Sequence, residues 1–333
     1  MKAVAINKPG TPAPFSIVEL PDPGKPGPGE VRVRIHATTI NYNDVLVIRN
    51  PNTLAGHIPL ADGAGVVEEV GEGVTDLAVG DTVFGRFFPQ WLEGGPTTDN
   101  FHATPGMGLP GYAREIAVAP ATQFERAPKG YTHAEAATLT VAGLTAWRAL
   151  FSDGGIKPGD KVLILGTGGV AVFALQFAKL AGATTIVTSS SDAKLERVRQ
   201  LGADHLVNYR TEPQWGDHVQ RLTNGGVDLV LEVGGPATLP QSIRAARIGG
   251  LVSLIGVLTG TLGEIPTGEL NMKQVRVHGL VVGGQRQQRD MVRALDEATL
   301  RPVIDRTFRL DDLNDALEYF GSGAHLGKVV IEL

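Results

Sequence analysis

The first 120 or so positions alternate in short runs. Val31-Arg32-Val33-Arg34-Ile35-His36 has the period of two expected of a half-buried strand. Gly63 to Gly71 and Gly80 to Phe84 read as short strands divided by glycine turns, and Pro21 to Gly29 is a Pro/Gly turn cluster. Arg86 to Gly111 has no period; it mixes Pro, Gly and aromatics, as functional loops do. From about Thr132 the pattern changes. His133 to Leu150 reads as an Ala-rich helix. Strands are then predicted at Lys161–Leu165, Thr184–Thr188, Val227–Glu232, Leu251–Ile255 and Val275–Val282. Helices are predicted at Val170–Ala181, Asp192–Leu201 and Asp290–Thr299, and a last strand at Lys328–Ile331. Strand and helix alternating across short glycine-rich links imply an α/β chain with a parallel, doubly wound sheet.

The 333 residues are enough for two cores. Net charge is −5 with the basic residues dispersed, which points away from nucleic acid and from a polybasic membrane patch. No signal-peptide layout and no membrane-length apolar run occur, so the cytoplasm is the expected location. Cysteine is absent, which excludes disulfides, thiolate metal sites and a cysteine nucleophile.

Val162-Leu163-Ile164-Leu165-Gly166-Thr167-Gly168-Gly169-Val170-Ala171 is an apolar strand running into G-x-G-x-x-A and then a helix. Gly166 allows the tight turn, Gly168 allows close approach of a pyrophosphate, and Ala171 keeps the helix near the sheet. The N–H groups around Gly169 and Val170 can face phosphate. Dinucleotide binding is the expectation. At the end of the second strand, where NAD enzymes usually carry an acid, stand Thr188-Ser189-Ser190-Ser191, with Lys194 following. Ser189, Ser190 and Lys194 suit a 2′-phosphate, so NADP(H) is expected over NAD(H). Asp192, the nearest acid, reads as a helix start. Gly234, Gly256, Val257, Val282 and Gly283 fall at C-terminal strand ends, where such sheets bind ligand.

With that loop in place, the chain resembles the medium-chain dehydrogenase/reductase superfamily, and in particular its zinc-free quinone-oxidoreductase-like and zinc-type alcohol dehydrogenase-like members. The matching stretches are Ile40-Asn41-Tyr42-Asn43-Asp44, Pro59 to Val67, Ala142 to Trp147, the glycine loop, Leu201 to Asp204 with Asn208-Tyr209, and Gly327 to Val330. The resemblance implies a discontinuous, β-rich, GroES-like catalytic domain (1–124 and 284–333) and a Rossmann domain (125–283). It also implies nicotinamide and substrate in a cleft between them, and a homodimer. It places Thr145 near the nicotinamide, Tyr209 near the adenosine phosphate and Lys328 at the cleft with the cofactor.

Departures from the family set the chemistry. The zinc-ligand positions of metal-dependent members fall on Asn41, on Ala61-Asp62 and on Val141. Ala and Val cannot ligate a metal, and Asp62 with His57 does not complete a tetrahedral set. No zinc is expected. Hydrogen-bond donors from Asn41, Tyr42 and Asn43 would then carry the acceptor's developing charge, Asn41 touching nicotinamide ribose or substrate and Tyr42 able to donate a proton. Asp44 reads as a brace rather than a base. Phe87, Phe88, Trp91 and Phe101 suggest an apolar pocket for a planar acceptor. The expected substrate is a small apolar conjugated carbonyl, a quinone or enone. A zinc-free alcohol dehydrogenase or carbonyl reductase, and a non-enzymatic NADPH-binding protein, are the competing readings.

Overall fold

The computed structural model describes residues 1–11, 14–101 and 103–333. In chain order the elements are β1 (Lys2–Ile6), β2 (Phe15–Glu19), β3 (Glu30–Thr39), α1 (Tyr42–Arg49), β4 (Ala64–Val70), β5 (Thr82–Gly85), β6 (Thr104–Pro105), β7 (Gly108–Leu109), β8 (Ile116–Pro120), β9 (Phe124–Arg126), α2 (His133–Ala137) and α3 (Leu144–Trp147). Next come β10 (Lys161–Leu165), α4 (Gly169–Leu180), β11 (Thr184–Ser189), α5 (Asp192–Gln200), β12 (His205–Asn208), α6 (Trp215–Leu222), β13 (Val227–Glu232), α7 (Leu239–Ala245), β14 (Ala246–Leu254), α8 (Thr267–Met272) and β15 (Arg276–Gly279). The chain closes with α9 (Gln285–Glu297), β16 (Ile304–Arg309), α10 (Leu313–Gly321) and β17 (Lys328–Glu332).

Two compact units result, one of Met1–Leu144 with Val282–Leu333 and one of Thr145–Val281. The breaks lie at 144/145 and 281/282, where the sequence suggested 124/125 and 283/284. Residues 125–144 group with the first unit because α2 packs on β3, β4 and β5 and Thr140 Oγ1 donates to Gly85 O at 3.0 Å.

In the first unit β16-β17-β3-β4-β5-β9 form one sheet, with β8 also on β3. The alternation of β3 buries Val31, Val33 and Ile35 together with Val67, Val83, Tyr112 and Phe124. The glycines at the start of β4 are there for close approach. A Cβ on Gly63 would lie 2.3 Å from the Tyr112 ring, and one on Gly65 1.8 Å from Arg34 O.

In the second unit six parallel strands run in the order β12-β11-β10-β13-β14-β15. The first strand, β10, is central, and Val162, Leu163 and Ile164 are fully buried because helices cover both faces. The chain winds outward from β10 through β11 and β12, then returns to β13 and winds the other way. The direction therefore reverses at the carboxyl ends of β10 and β13, the place where this fold binds ligands.

Several predicted elements differ; β14, for one, begins at Ala246 where the sequence suggested Leu251. The His133–Leu150 helix is broken by wider π turns at Leu139–Gly143 and Arg148–Ser152, each of which lets in an extra residue. The Val275–Val282 strand ends at Gly279; Val282 has φ +44°, which extended backbone cannot have. The Asp290–Thr299 helix starts five residues earlier, because Gln287 Oε1 accepts the Gly284 N–H and closes the first turn over a polar Gln-Arg-Gln-Gln run. Among the described residues no helix is long and apolar enough to cross a membrane.

Candidate active site

The dinucleotide half is built on β10 and α4. Gly166 takes φ +77°, a conformation that side chains resist, and its N–H bonds Thr188 O at 2.9 Å. Gly168 is the N-cap of α4 and offers no side chain to the helix end. Gly168, Gly169 and Val170 are half-buried. The first N–H groups of a twelve-residue helix are thus left to an incoming anion, and the residues fit a pyrophosphate.

Ser189 ends β11. It is buried, its Oγ accepts the Ser191 N–H at 3.2 Å, and its carbonyl accepts the Tyr209 N–H at 3.1 Å. The parallel register sets Ser189 opposite Asn208, so Ser189, Ser190 and Tyr209 share one end of the sheet, with Tyr209 42% exposed. Lys194 lies in the first turn of α5, capped by Ser191 Oγ. Asp192 opens that helix, as read from the sequence, and its carboxylate accepts from Asn208 Nδ2.

Thr145 is buried in α3. Gly234 is fixed by Glu232, a fully buried carboxylate the sequence reading passed over. Glu232 accepts the N–H groups of Gly234 and Gly235 and the hydroxyls of Thr238 and Ser242. The local E-x-G-G spacing was its only signal. Gly256 and Val257 line a cavity of about 360 Å³ with Pro236, Leu254, Leu280 and Val281, at the carboxyl ends of β14 and β15. Val282 and Gly283 are buried in the first unit.

A second cluster lies wholly in the first unit, around Asp62. This carboxylate is fully buried. Asp62 Oδ2 accepts from Thr39 Oγ1, from Asn41 Nδ2 at 2.9 Å and from Lys328 Nζ at 3.3 Å, while Oδ1 accepts the Val141 N–H at 3.1 Å. Lys328 Nζ also donates to Ile40 O at 3.1 Å and to Asn41 Oδ1 at 2.5 Å. Asn41 is the N-cap of α1, and its own N–H goes to Asp44 Oδ2 at 2.8 Å. Asp44 Oδ1 accepts the Ala61 N–H at 3.0 Å, an N–H presented by the left-handed turn at Leu60 (φ +73°). Asp44 is the brace the sequence suggested. Burial first, and the neighbouring Asp62 carboxylate second, push its carboxyl up to about 7.

Tyr42 and Asn43, in the first turn of α1, are half-buried, and no protein group among the described residues hydrogen-bonds either side chain. Lys328 is 3% exposed, and its three N–H groups go to Ile40, Asn41 and Asp62. Burial of the ammonium requires such partners.

These residues do not fit zinc. Of Asn41, Ala61, Asp62 and Val141 only Asp62 is a usual ligand, and both its oxygens are engaged by donors. Among the described residues no three His, Asp or Glu side chains are placed to hold a metal. His57 bonds Gly106 O instead.

The aromatic loop also departs from its reading. Phe87, Phe88 and Trp91 are each at most 3% exposed. Phe88 stacks on Phe101 at 4.2 Å, and Trp91 lies 5.5 Å from Phe101. Trp91 O accepts the Gln285 N–H, and a Cβ on Gly284 would strike the indole at 2.7 Å. The rings close on one another and tie the loop to the start of α9, because burying ring against ring removes more apolar surface than lining an open pocket.

Comparison with known proteins agrees with this architecture. Residues 27–129 match the family profile described as an alcohol dehydrogenase GroES-like domain, and residues 169–298 the one described as a zinc-binding dehydrogenase. A zinc-type alcohol dehydrogenase-like protein of Schizosaccharomyces pombe is 42% identical, covering 93% of each chain. The structure of an NAD-dependent alcohol dehydrogenase superposes with TM-score 0.90 at 33% identity over the whole of both chains. That of the crotonyl-CoA carboxylase/reductase AntE in complex with NADP gives 0.88 at 26% identity, covering all of this chain and 94% of that one. The chain belongs to the medium-chain dehydrogenase/reductase superfamily, in its alcohol-dehydrogenase-like branch. It is an oxidoreductase that depends on a pyridine nucleotide.

Proposed function

We propose that the protein is an NADPH-dependent reductase of small apolar conjugated carbonyls, quinones or enones, that works without a catalytic metal. The observation that carries this reading is the set of contacts around Asp62. Two of the residues at the family's zinc-ligand positions, Asn41 and Asp62, meet the Lys328 ammonium, and the Asp62 carboxylate has both oxygens engaged. An acceptor that spreads incoming charge by conjugation suits such a site, since neutral donors are enough to hold its oxygen.

When bound, the cofactor supplies hydride from its nicotinamide. Gly166, Gly168, Gly169 and Val170 would hold its pyrophosphate. Thr145, Gly234, Gly256, Val257, Val282 and Gly283 would border its nicotinamide half. Tyr42 Oη, which has no hydrogen-bond partner among the described residues, would donate to the acceptor oxygen, with Asn43 beside it. Asn41 has one amide N–H to Asp62 and a second with no partner among the described residues. Ser189, Ser190, Lys194 and Tyr209 would take the adenosine 2′-phosphate, a reading supported by hydroxyls where an NAD enzyme has an acid and by the Tyr209–Ser189 bond. The NADP complex of the AntE reductase supports the same cofactor, whereas the NAD-dependent alcohol dehydrogenase supports the other.

A second reading is a zinc-free alcohol dehydrogenase, favoured by the name of the Schizosaccharomyces pombe relative. A cytoplasmic homodimer, joined edge to edge through the parallel sheets, goes with either. The test is NADPH oxidation by chelator-treated protein across quinones, enones, enals, aldehydes and saturated ketones, with alcohols run in reverse. Turnover of quinones or enones is expected. Turnover confined to saturated alcohols or ketones, or activity lost with a removed zinc, would overturn the reading.

A further inference from the structure

Lys328 and Asp62 are 266 positions apart, yet they meet as an ion pair with side chains 3% and 0% exposed. Stability does not explain this. Burying an ammonium and a carboxylate carries a desolvation penalty of several kcal/mol per ion, and well-packed apolar residues of the same volume often do as well or better. What the pair does create is orientation. The Asn41 amide has two distinguishable ends. Its Oδ1 faces the Lys328 ammonium at 2.5 Å and its Nδ2 faces the Asp62 carboxylate at 2.9 Å. An inverted amide would set NH₂ against ammonium and C=O against carboxylate, so the flip is blocked electrostatically. The Asn41 backbone is held as well, by Asp44 at the first turn of α1, and the adjoining Ile40 carbonyl is held by Lys328 itself.

From these contacts we infer that Lys328 is a positioning residue. Its ammonium fixes the Asn41 amide and the start of α1, and so sets the direction of the remaining Asn41 N–H and the placement of Tyr42 on the following position. The role differs from cofactor contact, because all three ammonium hydrogens already point at Ile40, Asn41 and Asp62. It rests on the reading of Asn41 and Tyr42 as the acceptor-facing donors.

The test uses the full chain with Lys328→Met, Lys328→Arg and the double variant Asp62→Asn/Lys328→Met, which leaves no stranded charge. Three quantities are read: NADPH affinity by fluorescence titration, the single-turnover hydride-transfer rate at saturating NADPH with whichever acceptor the wild type reduces, and amide exchange across Tyr42–Arg49. Hydride transfer in Lys328→Met and in the double variant is expected to fall roughly ten- to a hundredfold, the scale of an ångström-level misplacement. NADPH affinity should stay within a few-fold, α1 amides should exchange faster, and Lys328→Arg should recover part of the rate. A double variant with wild-type hydride transfer or wild-type α1 exchange overturns the proposal. So does weakened NADPH binding with an unchanged rate at saturation, which would make Lys328 a cofactor ligand. If Lys328→Met does not fold, the double variant decides. A wild type that reduces only saturated ketones would sink the substrate reading alone, since the variants are compared on the acceptor actually used and α1 exchange needs no acceptor.

Discussion

Replacing Asp44 by asparagine should change how stability depends on pH, and in a direction opposite to that of most carboxylates. Below pH 3.8 the carboxyl is protonated in both the folded and the unfolded chain. Between 3.8 and about 7 the unfolded chain releases the proton while the folded protein keeps it, so each rise in pH favours unfolding. Above about 7 both states are ionised and the full cost is present. Moving a carboxyl from 3.8 to about 7 corresponds to roughly 4 kcal/mol. The group is entirely buried, so solvent screening takes little from that figure. Asparagine never ionises and escapes this cost. It retains one carbonyl acceptor where Asp44 serves two N–H donors, those of Asn41 and Ala61. One buried donor is then poorly satisfied at every pH, a penalty of about 1–3 kcal/mol. The two stability curves should therefore cross. Asp44→Asn is expected to be less stable than wild type at pH 4 and as stable or more so at pH 8. Urea unfolding across that range, followed by fluorescence and compared with wild type at each pH, measures the difference. A constant offset between the two proteins from pH 4 to 8 would refute a folded-state carboxyl that ionises near neutrality.

Ser189→Asp should reverse the nucleotide preference, because a carboxylate at the end of β11 repels a 2′-phosphate and accepts from ribose hydroxyls. A charge-assisted contact of about 1.5–3 kcal/mol implies a change of about ten- to a hundredfold, read from paired NADPH and NADH titrations, and parallel changes in both would count against it. Tyr42→Phe should slow hydride transfer without altering thermal stability, since Tyr42 Oη has no hydrogen-bond partner among the described residues. Asn41→Ala should also lower stability by about 1–3 kcal/mol by stranding Lys328 and Asp62, and thermal melts separate the two cases. Dialysis against a chelator should leave NADPH oxidation unchanged, with elemental analysis finding well under one zinc per chain; a stoichiometric zinc whose removal abolishes activity would contradict this.

Much of the dinucleotide half was legible in sequence because its determinants are local. Strand, glycine turn and helix occupy Lys161–Leu180 without interruption, and Gly166 must be glycine at φ +77° whatever surrounds it. The period of two in β3 and the continuous apolar run of β10 report directly which faces are covered. Less local elements were passed over. The sequence reading assigned nothing to β2, β8, β9 or β16, short strands whose pairing partners supply the pattern that their own few residues do not.

The first unit's cluster shows the opposite case. The sequence by itself determined that cysteine is absent, that the zinc-ligand positions hold Asn41, Ala61, Asp62 and Val141, and that a glycine loop opens α4. It did not determine what Asp62 does, since Thr39 and Asn41, Val141 and Lys328 reach that carboxylate from three separate parts of the chain. Nor could it tell that Phe88, Trp91 and Phe101 pack on one another, because an aromatic has the same local signature whether it lines a pocket or fills one. Turns and helix starts are decided within a few bonds of the residue that makes them. The partner of a buried charge is decided by which strands become neighbours, and only the folded chain brings β17 to the end of β3 and sets Lys328 against Asn41 and Asp62.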